Sequence, residues 1–255
     1  MTPALDEARA WTRMGASMTA FCRAAGGRSP RGSLYEADGV LATVVPEAPD
    51  RSVVNAVVYD DAKALARALE DLADIFERAG VRAWTVWVPG PDREGAALVE
   101  HAGHRLDAAP AAMVLGLDGF ERPAGDLDWT REGDIETLTR INDDSYPFPD
   151  RPWSKAFSHV PEGARVYLAH LNGEPASGLL TFDWEGDCAI ELVATAPGAR
   201  GQGLAGTLLA HALADARDRG QEASTLQATE MGRPVYERLG YRSIGAYEMW
   251  ERRAS

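Results

Sequence analysis

The sequence has 255 residues, of which 45% are hydrophobic, so it is long enough for one large globular domain or two of ordinary size. Its formal net charge of −13 argues against a nucleic-acid-binding protein, because such proteins normally present a basic face to the phosphates. Cys22 and Cys188 lie far apart and suggest neither a disulfide framework nor a zinc cluster. No apolar run approaches the ~18 residues of a membrane span, and the opening residues do not resemble an export signal. We therefore expect a cytoplasmic protein without a membrane partner.

The first half contains a helical pattern, "AKALARALEDLADIFERAG", that ends at Gly80 and is followed by the strand-like run "VRAWTVWVP". A shorter segment, "AALVEHAGHRL", and a strand-like "AAMVLGL" come next. Its two histidines, His101 and His104, have a helical spacing that suits a metal, but no third ligand is evident, so we predict no metal site.

A segment rich in proline, glycine and charge, "GFERPAGDLDW" at residues 119–129, is typical of a linker and divides the chain into residues 1–120 and 121–255. The order of patterns after it repeats the order before it. Gly220 ends a long helical pattern as Gly80 does, and Gly240 follows a short one as Gly103 does. We expect two copies of one α/β unit, each with a mixed, mostly antiparallel sheet flanked by helices.

The second half shows clear local signals. Asp134 is placed to cap a helix whose apolar residues share one face, and Asn172 and Gly173 form the turn of a β-hairpin. A third strand, "CAIELVAT", leads into a helix over residues 204–219 that ends before Gly220. Antiparallel strands that feed a β–α–β unit are therefore predicted.

The glycines in "ARGQGLAG", residues 199–206, stand where this helix begins. Glycine within a helix lowers helix stability by about 0.5–1 kcal/mol relative to alanine, so the glycines in this stretch need an explanation. The motif matches the dinucleotide fingerprint G-x-G-x-x-G, but the residues after it have room for only two strands, and no nucleoside-triphosphate loop occurs. The free N–H groups of a helix N-terminus suit the phosphate groups of a large anionic ligand, and Arg200 is able to add a charge-assisted contact.

The stretch "ATAPGARGQGLAGTLL" resembles the pyrophosphate-binding signature of the GCN5-related N-acetyltransferase (GNAT) superfamily, [QR]-x-x-G-x-[GA], at Arg200, Gly203 and Ala205. Pro197 and the late motif "RPVYERLGY" extend the resemblance over residues 129–255. It implies two tandem GNAT-like domains, with acetyl-CoA as co-substrate and an acetyl group transferred directly to a primary amine of a small molecule or peptide. It also implies that the strand before the motif splays from its neighbour. The expected coenzyme-binding residues are Leu192, Val193, Thr195, Arg200, Gly201, Gln202, Gly203, Leu204, Ala205, Gly206 and Thr207.

Two residues are candidates for the chemistry. Tyr236 resembles the tyrosine that serves this superfamily as general acid, although a packed aromatic on the last helix would look the same. Glu191 is the candidate base, acting through ordered water, with a solvated carboxylate as the alternative reading and His170 as a rival base. By strand alternation, Glu191 would share a face with Val193 and oppose Leu192.

The acceptor site is expected in "NDDSYPFPDRPWSKAF", which follows the first helix of the second half. Aromatic and acidic residues alternate there, and such a set holds an amine by charge and cation–π contact. A packed lid with solvent-facing acids is the alternative, and the prolines Pro147, Pro149 and Pro152 would stiffen either arrangement. The candidate acceptor-binding residues are Asp143, Asp144, Tyr146, Phe148 and Trp153.

The first half lacks these features. The start of its long helix, "VYDDAKALARAL", has two carboxylates and no glycine, and Val99 stands where Tyr236 would be. We predict a degenerate, non-catalytic copy that supplies shape, part of the acceptor pocket or an internal interface. A catalytically inactive acyl-CoA sensor or interaction protein is the alternative function, and either a monomer or a homodimer fits the sequence.

Overall fold

A computed structural model describes residues 6–26, 29–124, 126–146, 148 and 150–254. The described residues form a twelve-stranded mixed sheet with helices packed on it, as the sequence predicts. No helix in these ranges is long and apolar enough to cross a membrane.

The first half begins with a helix and three strands. A helix, a strand, another helix and two final strands follow. Its elements are α1 (Glu7–Ala25), β1 (Ser33–Ala37), β2 (Val40–Val44), β3 (Ala56–Tyr59), α2 (Ala62–Arg78), β4 (Ala83–Pro89), α3 (Arg93–His101), β5 (Arg105–Ala108) and β6 (Ala111–Gly116). β3 and β4 are parallel, and α2 connects them.

After a short opening strand the second half follows a similar order, with an additional helix after the first one and a single strand at the end. Its elements are β7 (Trp129–Thr130), α4 (Ile135–Ser145), α5 (Pro152–Ala156), β8 (Ala164–Leu171), β9 (Glu174–Trp184), β10 (Asp187–Thr195), α6 (Leu204–Asp218), β11 (Ala223–Ala228), α7 (Arg233–Arg238) and β12 (Arg242–Arg253). β10 and β11 are parallel, with α6 as their connection.

The local signals in the second half are confirmed. Asp134 caps α4 by accepting the Thr137 N–H at 2.7 Å. Asn172 and Gly173, with φ of 55° and 83°, turn β8 into the antiparallel β9. Gly220, with φ of 91°, follows the last turn of α6, which ends one residue earlier than predicted.

The sheet does not divide at residue 120. Its strand order is β1-β2-β3-β4-β12-β6-β11-β10-β9-β8-β7, with β5 also paired to β12. β6 from the first half therefore lies between two strands of the second, and the end of β12 pairs with β4 of the first. A bulge at Gly245, where φ is 140°, lets β12 pass from one neighbour to the other. The two halves share one sheet across the predicted boundary.

Helix α1 packs on the sheet of the second half and forms hydrogen bonds with it. Its Ser17 donates a 2.6 Å hydrogen bond to the buried Asp187 of β10, which also accepts one from Thr225 of β11. Arg13 donates to the Gly186 carbonyl and pairs with Glu222 at 2.8 Å. α1 thus covers the strands that lead to the glycine motif.

Candidate active site

A cavity of about 1310 Å³ lies between the two halves, beside the end of β10 and the start of α6. Glu191 and Tyr236, the candidate catalytic residues, both line it. The predicted coenzyme-binding residues line it too, except for Gln202. The lining members are Leu192, Val193, Thr195, Arg200, Gly201, Gly203, Leu204, Ala205, Gly206 and Thr207.

The cavity opens where two parallel strands separate. β10 pairs with β11 only from Asp187 to Ala189, although both strands continue beyond that point. The expected splay is therefore present in the described residues. It leaves the second half of β10 with one free edge that faces the cavity.

The predicted alternation along β10 is wrong because the strand contains a bulge. Leu192 has a left-handed φ of 53°, and the register with β9 shifts between Glu191 and Ala194. Glu191 still pairs with Leu180 and shares its face, whereas Val193 packs in the cluster around Tyr236. Glu191 and Val193 thus lie on opposite faces, and Leu192 packs toward α4.

Two polar side chains of α4 hold this irregular strand. Asn142 Nδ2 donates to the Leu192 carbonyl at 2.9 Å, and Ser145 Oγ donates to the Thr195 carbonyl at 2.9 Å. Neither residue is among the predicted site residues. The available signal was their position four residues after Leu138 and Ile141, which places them on the helix face that packs on the sheet.

The start of α6 offers unpaired donors to the cavity. Gly201 and Gly203 have φ of 78° and 80°, a region that costs other L-residues roughly 1–2 kcal/mol. A Cβ at either position would meet no protein atom within 4 Å, so the space above them is open. The first helical bond runs from the Thr207 N–H to the Gly203 carbonyl, and no side chain caps the helix. The N–H groups of residues 204–206 are therefore free for an anion among the described residues.

Arg200 makes contacts within the protein that were not predicted. Its Nη2 donates to the Ser145 carbonyl at 2.8 Å and its Nε donates to the Thr195 carbonyl at 3.3 Å. The guanidinium therefore ties the loop before α6 to α4 and β10. A contact from this side chain to a phosphate is not preformed.

Tyr236 is buried on α7 with its ring against Tyr241, at 5.9 Å between centroids. The Tyr241 hydroxyl is fixed in turn by a 2.6 Å hydrogen bond with Ser224 Oγ. Burial, followed by the nearby Tyr146 and Glu191, raises the pKa of Tyr236 above its usual value. Its phenol is therefore protonated at neutral pH, as a general acid requires.

Glu191 lies in a strongly desolvated position. Burial raises the pKa of Glu191 to about 8, and the negative charge of Asp187 adds to the effect. Asp187 itself is buried, with its pKa raised to about 6. Asp187 is not among the predicted site residues, because its place four residues before Glu191 on one strand carries no signal of its burial. A carboxyl group that ionises near pH 8 is suited to take a proton from an ammonium group.

Three of the five candidate acceptor-binding residues line the cavity, and two do not. Tyr146, Phe148 and Trp153 line the cavity. Asp143 does not, because its carboxylate accepts hydrogen bonds from the Trp153 and Ser154 N–H groups at 3.0 and 3.1 Å and so caps α5. Asp144 pairs with Arg151 on the surface, away from the cavity. Pro147 and Pro149 lie outside the described residues.

The rival histidines are not at this site. His170 lies on β8, 3.7 Å from Asp128, and does not line the cavity. His104 is buried against Trp84 while His101 is exposed, so they do not converge. The described ranges hold no group of three or more His, Cys, Asp or Glu placed to bind a metal ion.

The first half contributes a wall that the sequence analysis did not identify by residue. Met18, Phe21 and Cys22 of α1 line the cavity, and Arg51 lies in the same wall. Burial raises the pKa of the Cys22 thiol to about 12, so this cysteine stays protonated. No local pattern marks these residues, because only the packing of α1 on β10 brings them to the site.

Comparisons with known proteins agree with this geometry. The family described as "Acetyltransferase (GNAT) domain" matches residues 128–244. A GCN5-related N-acetyltransferase from Kribbella flavida aligns with 100% of this chain and 98% of its own at a TM-score of 0.69 and 16% identity. One from Sphaerobacter thermophilus covers 98% of this chain and 94% of its own, with a TM-score of 0.56 and 18% identity.

A tandem GNAT protein from the clavulanic acid biosynthesis pathway is similar over 89% of this chain and 85% of its own, with a TM-score of 0.56 and 14% identity. At such identities these structures show a shared fold. A search of curated proteins finds no match. The chain therefore carries a GNAT acetyltransferase domain at residues 128–244.

Proposed function

We propose that the protein is an acetyl-CoA-dependent N-acetyltransferase that acts on a primary amine of a small molecule or peptide, by direct attack in a ternary complex. One observation carries this proposal. A single cavity joins the free N–H groups at the start of α6 to the two candidate catalytic side chains, Glu191 and Tyr236.

The residues around α6 fit the anionic end of the coenzyme. Backbone N–H groups and the positive end of the helix dipole meet at residues 203–206, and a Cβ at Gly203 would meet no atom of the described residues within 4 Å. The free edge of β10 then offers a path for an extended arm toward Glu191. The coenzyme, when bound, supplies an activated acetyl thioester.

The two candidate catalytic residues release their protons in different pH ranges. Tyr236 keeps its proton at neutral pH and is able to donate it to a leaving thiolate. Glu191 exchanges its proton near pH 8, so its carboxylate accepts a proton from the attacking ammonium, directly or through water. The aromatic wall formed by Tyr146, Phe148 and Trp153 borders the space left for the amine.

Ligand binding and thiol release together test the proposal. We expect acetyl-CoA and free coenzyme A, but not NAD or ATP, to raise the Tm of the full chain by mass action. We also expect acetyl-CoA-dependent release of free thiol in the presence of at least one class of primary amine. Binding of NAD in place of coenzyme A would contradict the proposal. Binding of coenzyme A without transfer to any amine, polyamine or peptide would favour a sensor instead.

A further inference from the structure

Arg51 is a cation of the first half that lies in the wall of the cavity. It precedes a short 3₁₀ turn, Ser52–Val54, and its backbone is fixed at both ends. Its N–H donates to the Ala48 carbonyl at 3.1 Å, and its own carbonyl accepts from Asn55 Nδ2 at 3.1 Å. The backbone that carries the side chain is therefore held in place by the fold.

The guanidinium of Arg51 lies on an aromatic surface from the second half. Its Cζ is 3.8 Å from the centroid of the Phe148 ring and 5.7 Å from that of Trp153. Stacking of this kind orients the plane of the guanidinium and leaves its N–H groups at the edge free to bind. Arg51 thus reaches the part of the cavity that the sequence analysis assigned to the acceptor.

Among the described residues, two polar groups in this part of the cavity wall lack hydrogen-bond partners. Arg51 Nε is buried without an acceptor, and so is the indole N–H of Trp153 beside it. Within the described ranges, no carboxylate lies within 4 Å of the Arg51 guanidinium. A buried donor without an acceptor is unfavourable, and guanidinium stays charged at any physiological pH. Two such donors in one wall indicate a missing anionic acceptor.

The charged groups around Arg51 limit the charge of the anion that is able to bind there. The charges that act on Arg51 are those of the acids Asp107 and Glu251 and of the cation Arg253, together with the Tyr146 phenol. Arg253 is already engaged, because it donates to both oxygens of Glu251 at 2.6 and 2.9 Å. The local charge therefore suits a single negative charge better than a phosphate dianion. A planar carboxylate also matches the parallel N–H groups of a guanidinium.

We propose that Arg51 binds a carboxylate of the acceptor, so that the acceptor substrate is an amine that also carries a carboxylate group. This rests on the proposed function, since it places the acceptor in the same cavity. The coenzyme phosphates occupy a different region, at the start of α6, where the free backbone N–H groups lie. The first half thus selects the acceptor while the second half binds the coenzyme.

The test compares acids with their own carboxamides. β-Alanine, 4-aminobutyrate and phenylalanine, each as the free acid and as the carboxamide, are assayed with acetyl-CoA by thiol release. Wild type should prefer at least one acid over its amide by about tenfold or more in kcat/KM. Arg51→Gln should bring that ratio close to one, and Arg51→Lys should retain part of it. Arg67→Gln, which removes an exposed arginine on α2, is the matched control and should keep the wild-type ratio.

Binding measured without turnover separates this proposal from the proposed function. Calorimetry of the same acids and of 3-phenylpropionate, with and without saturating coenzyme A, reports the carboxylate site even if no amine reacts. Binding of an acid that Arg51→Gln abolishes and Arg67→Gln preserves supports the site. An equal preference for acids and amides, an acid preference that survives Arg51→Gln, or no binding of any acid would overturn it. Failure of coenzyme A to bind would overturn only the proposed function.

Discussion

The helices α2 and α6 hold the same place in the two halves of the molecule, yet their N-termini differ in chemistry. Asp61 caps α2 by accepting the Ala64 N–H at 2.8 Å, whereas Gly203 precedes α6 and no side chain of the described residues caps that helix. A capped helix start is internally satisfied, and an uncapped one that faces a cavity is able to bind an anion. The same backbone architecture therefore carries a capped helix start in one half and leaves free N–H groups beside a cavity in the other.

The strands beside these helices also differ, in what lies between their ends. In the second half, β10 and β11 separate and leave the cavity open. In the first half, Tyr59 at the end of β3 donates a 2.7 Å hydrogen bond to Asp92, which caps α3 just after β4. This hydrogen bond links the segments that follow the two strands, and Val99, which the sequence comparison places where Tyr236 stands, has a fully buried apolar side chain.

The largest effect is expected from transferring the cap of α2 to α6. Gly203→Asp should weaken coenzyme A binding by roughly 100-fold or more, because the carboxylate competes for the helix N–H groups and repels the phosphates. The left-handed φ should add a stability cost of about 1–2 kcal/mol. Calorimetric titration with coenzyme A measures the first effect and denaturant unfolding the second.

Gly198→Ala is the matched control for that change. Gly198 lies in the same loop, does not have a positive φ, and has open space around its Cβ position. This variant should bind coenzyme A as wild type does. If Gly203→Asp also bound normally, the start of α6 would not be the pyrophosphate site.

Removal of the Tyr236 hydroxyl should give the next largest effect. Tyr236→Phe should lower kcat by about 100-fold while leaving coenzyme A affinity unchanged, because the phenol is proposed to act on the leaving group only. Tyr241→Phe removes a neighbouring buried hydroxyl that bonds Ser224. That control should lose about 1 kcal/mol of stability without the loss in kcat. Equal rates for wild type and Tyr236→Phe would exclude the proposed acid.

Glu191 should set the pH dependence of the reaction. Because its pKa is raised to about 8, the carboxylate is mostly protonated at neutral pH, and kcat/KM should rise as the pH increases through about 8. Glu191→Gln should lower the rate and abolish this rise. A profile of kcat/KM against pH for both proteins is the measurement, and an unchanged rise in the variant would contradict the assignment.

The raised pKa of Glu191 also affects the stability of the protein. Stability should fall as the pH increases, whereas kcat/KM should rise. The folded protein holds a proton on Glu191 that the unfolded chain releases above its ordinary pKa of 4.5. The favourable contribution to stability is therefore present below that value and is lost as the pH rises to about 8. Glu191→Gln should raise the Tm relative to wild type at pH 9 more than at pH 4.

The smallest effect is expected in the first half. Asp61→Ala removes the cap of α2 and should lower the free energy of unfolding by about 1 kcal/mol. Coenzyme A affinity should not change, because this helix start is proposed to bind no ligand. A loss of coenzyme affinity in Asp61→Ala would show that the two halves are not specialised in this way. Denaturant unfolding and calorimetry on the same sample provide both values.

Features encoded by neighbouring residues could be predicted from the sequence. The turn at Asn172 and Gly173, the cap at Asp134 and the glycine-rich start of α6 depend on local backbone preferences, and each is confirmed. Glu191 and Tyr236 were placed through the family motif, and the structure brings both to one cavity.

Features that depend on distant partners could not be predicted. Asp143 looks like an amine ligand among aromatic residues, but the fold places the start of α5 within its hydrogen-bonding reach. The bulge at Leu192 depends on Asn142, fifty residues away in the chain. Arg51 reaches the acceptor region only because the first half packs on the second, a contact that no periodic pattern reports.

The placement of β6 and β12 has a consequence for how the molecule assembles. Each of these strands completes a sheet region built mainly from the other half, so neither half can finish its sheet from its own residues. The chain should consequently unfold in a single cooperative transition despite its internal repeat. Proteolytic cleavage between residues 117 and 128 should also leave the two fragments associated under native conditions, held by backbone hydrogen bonds on both sides of the cut.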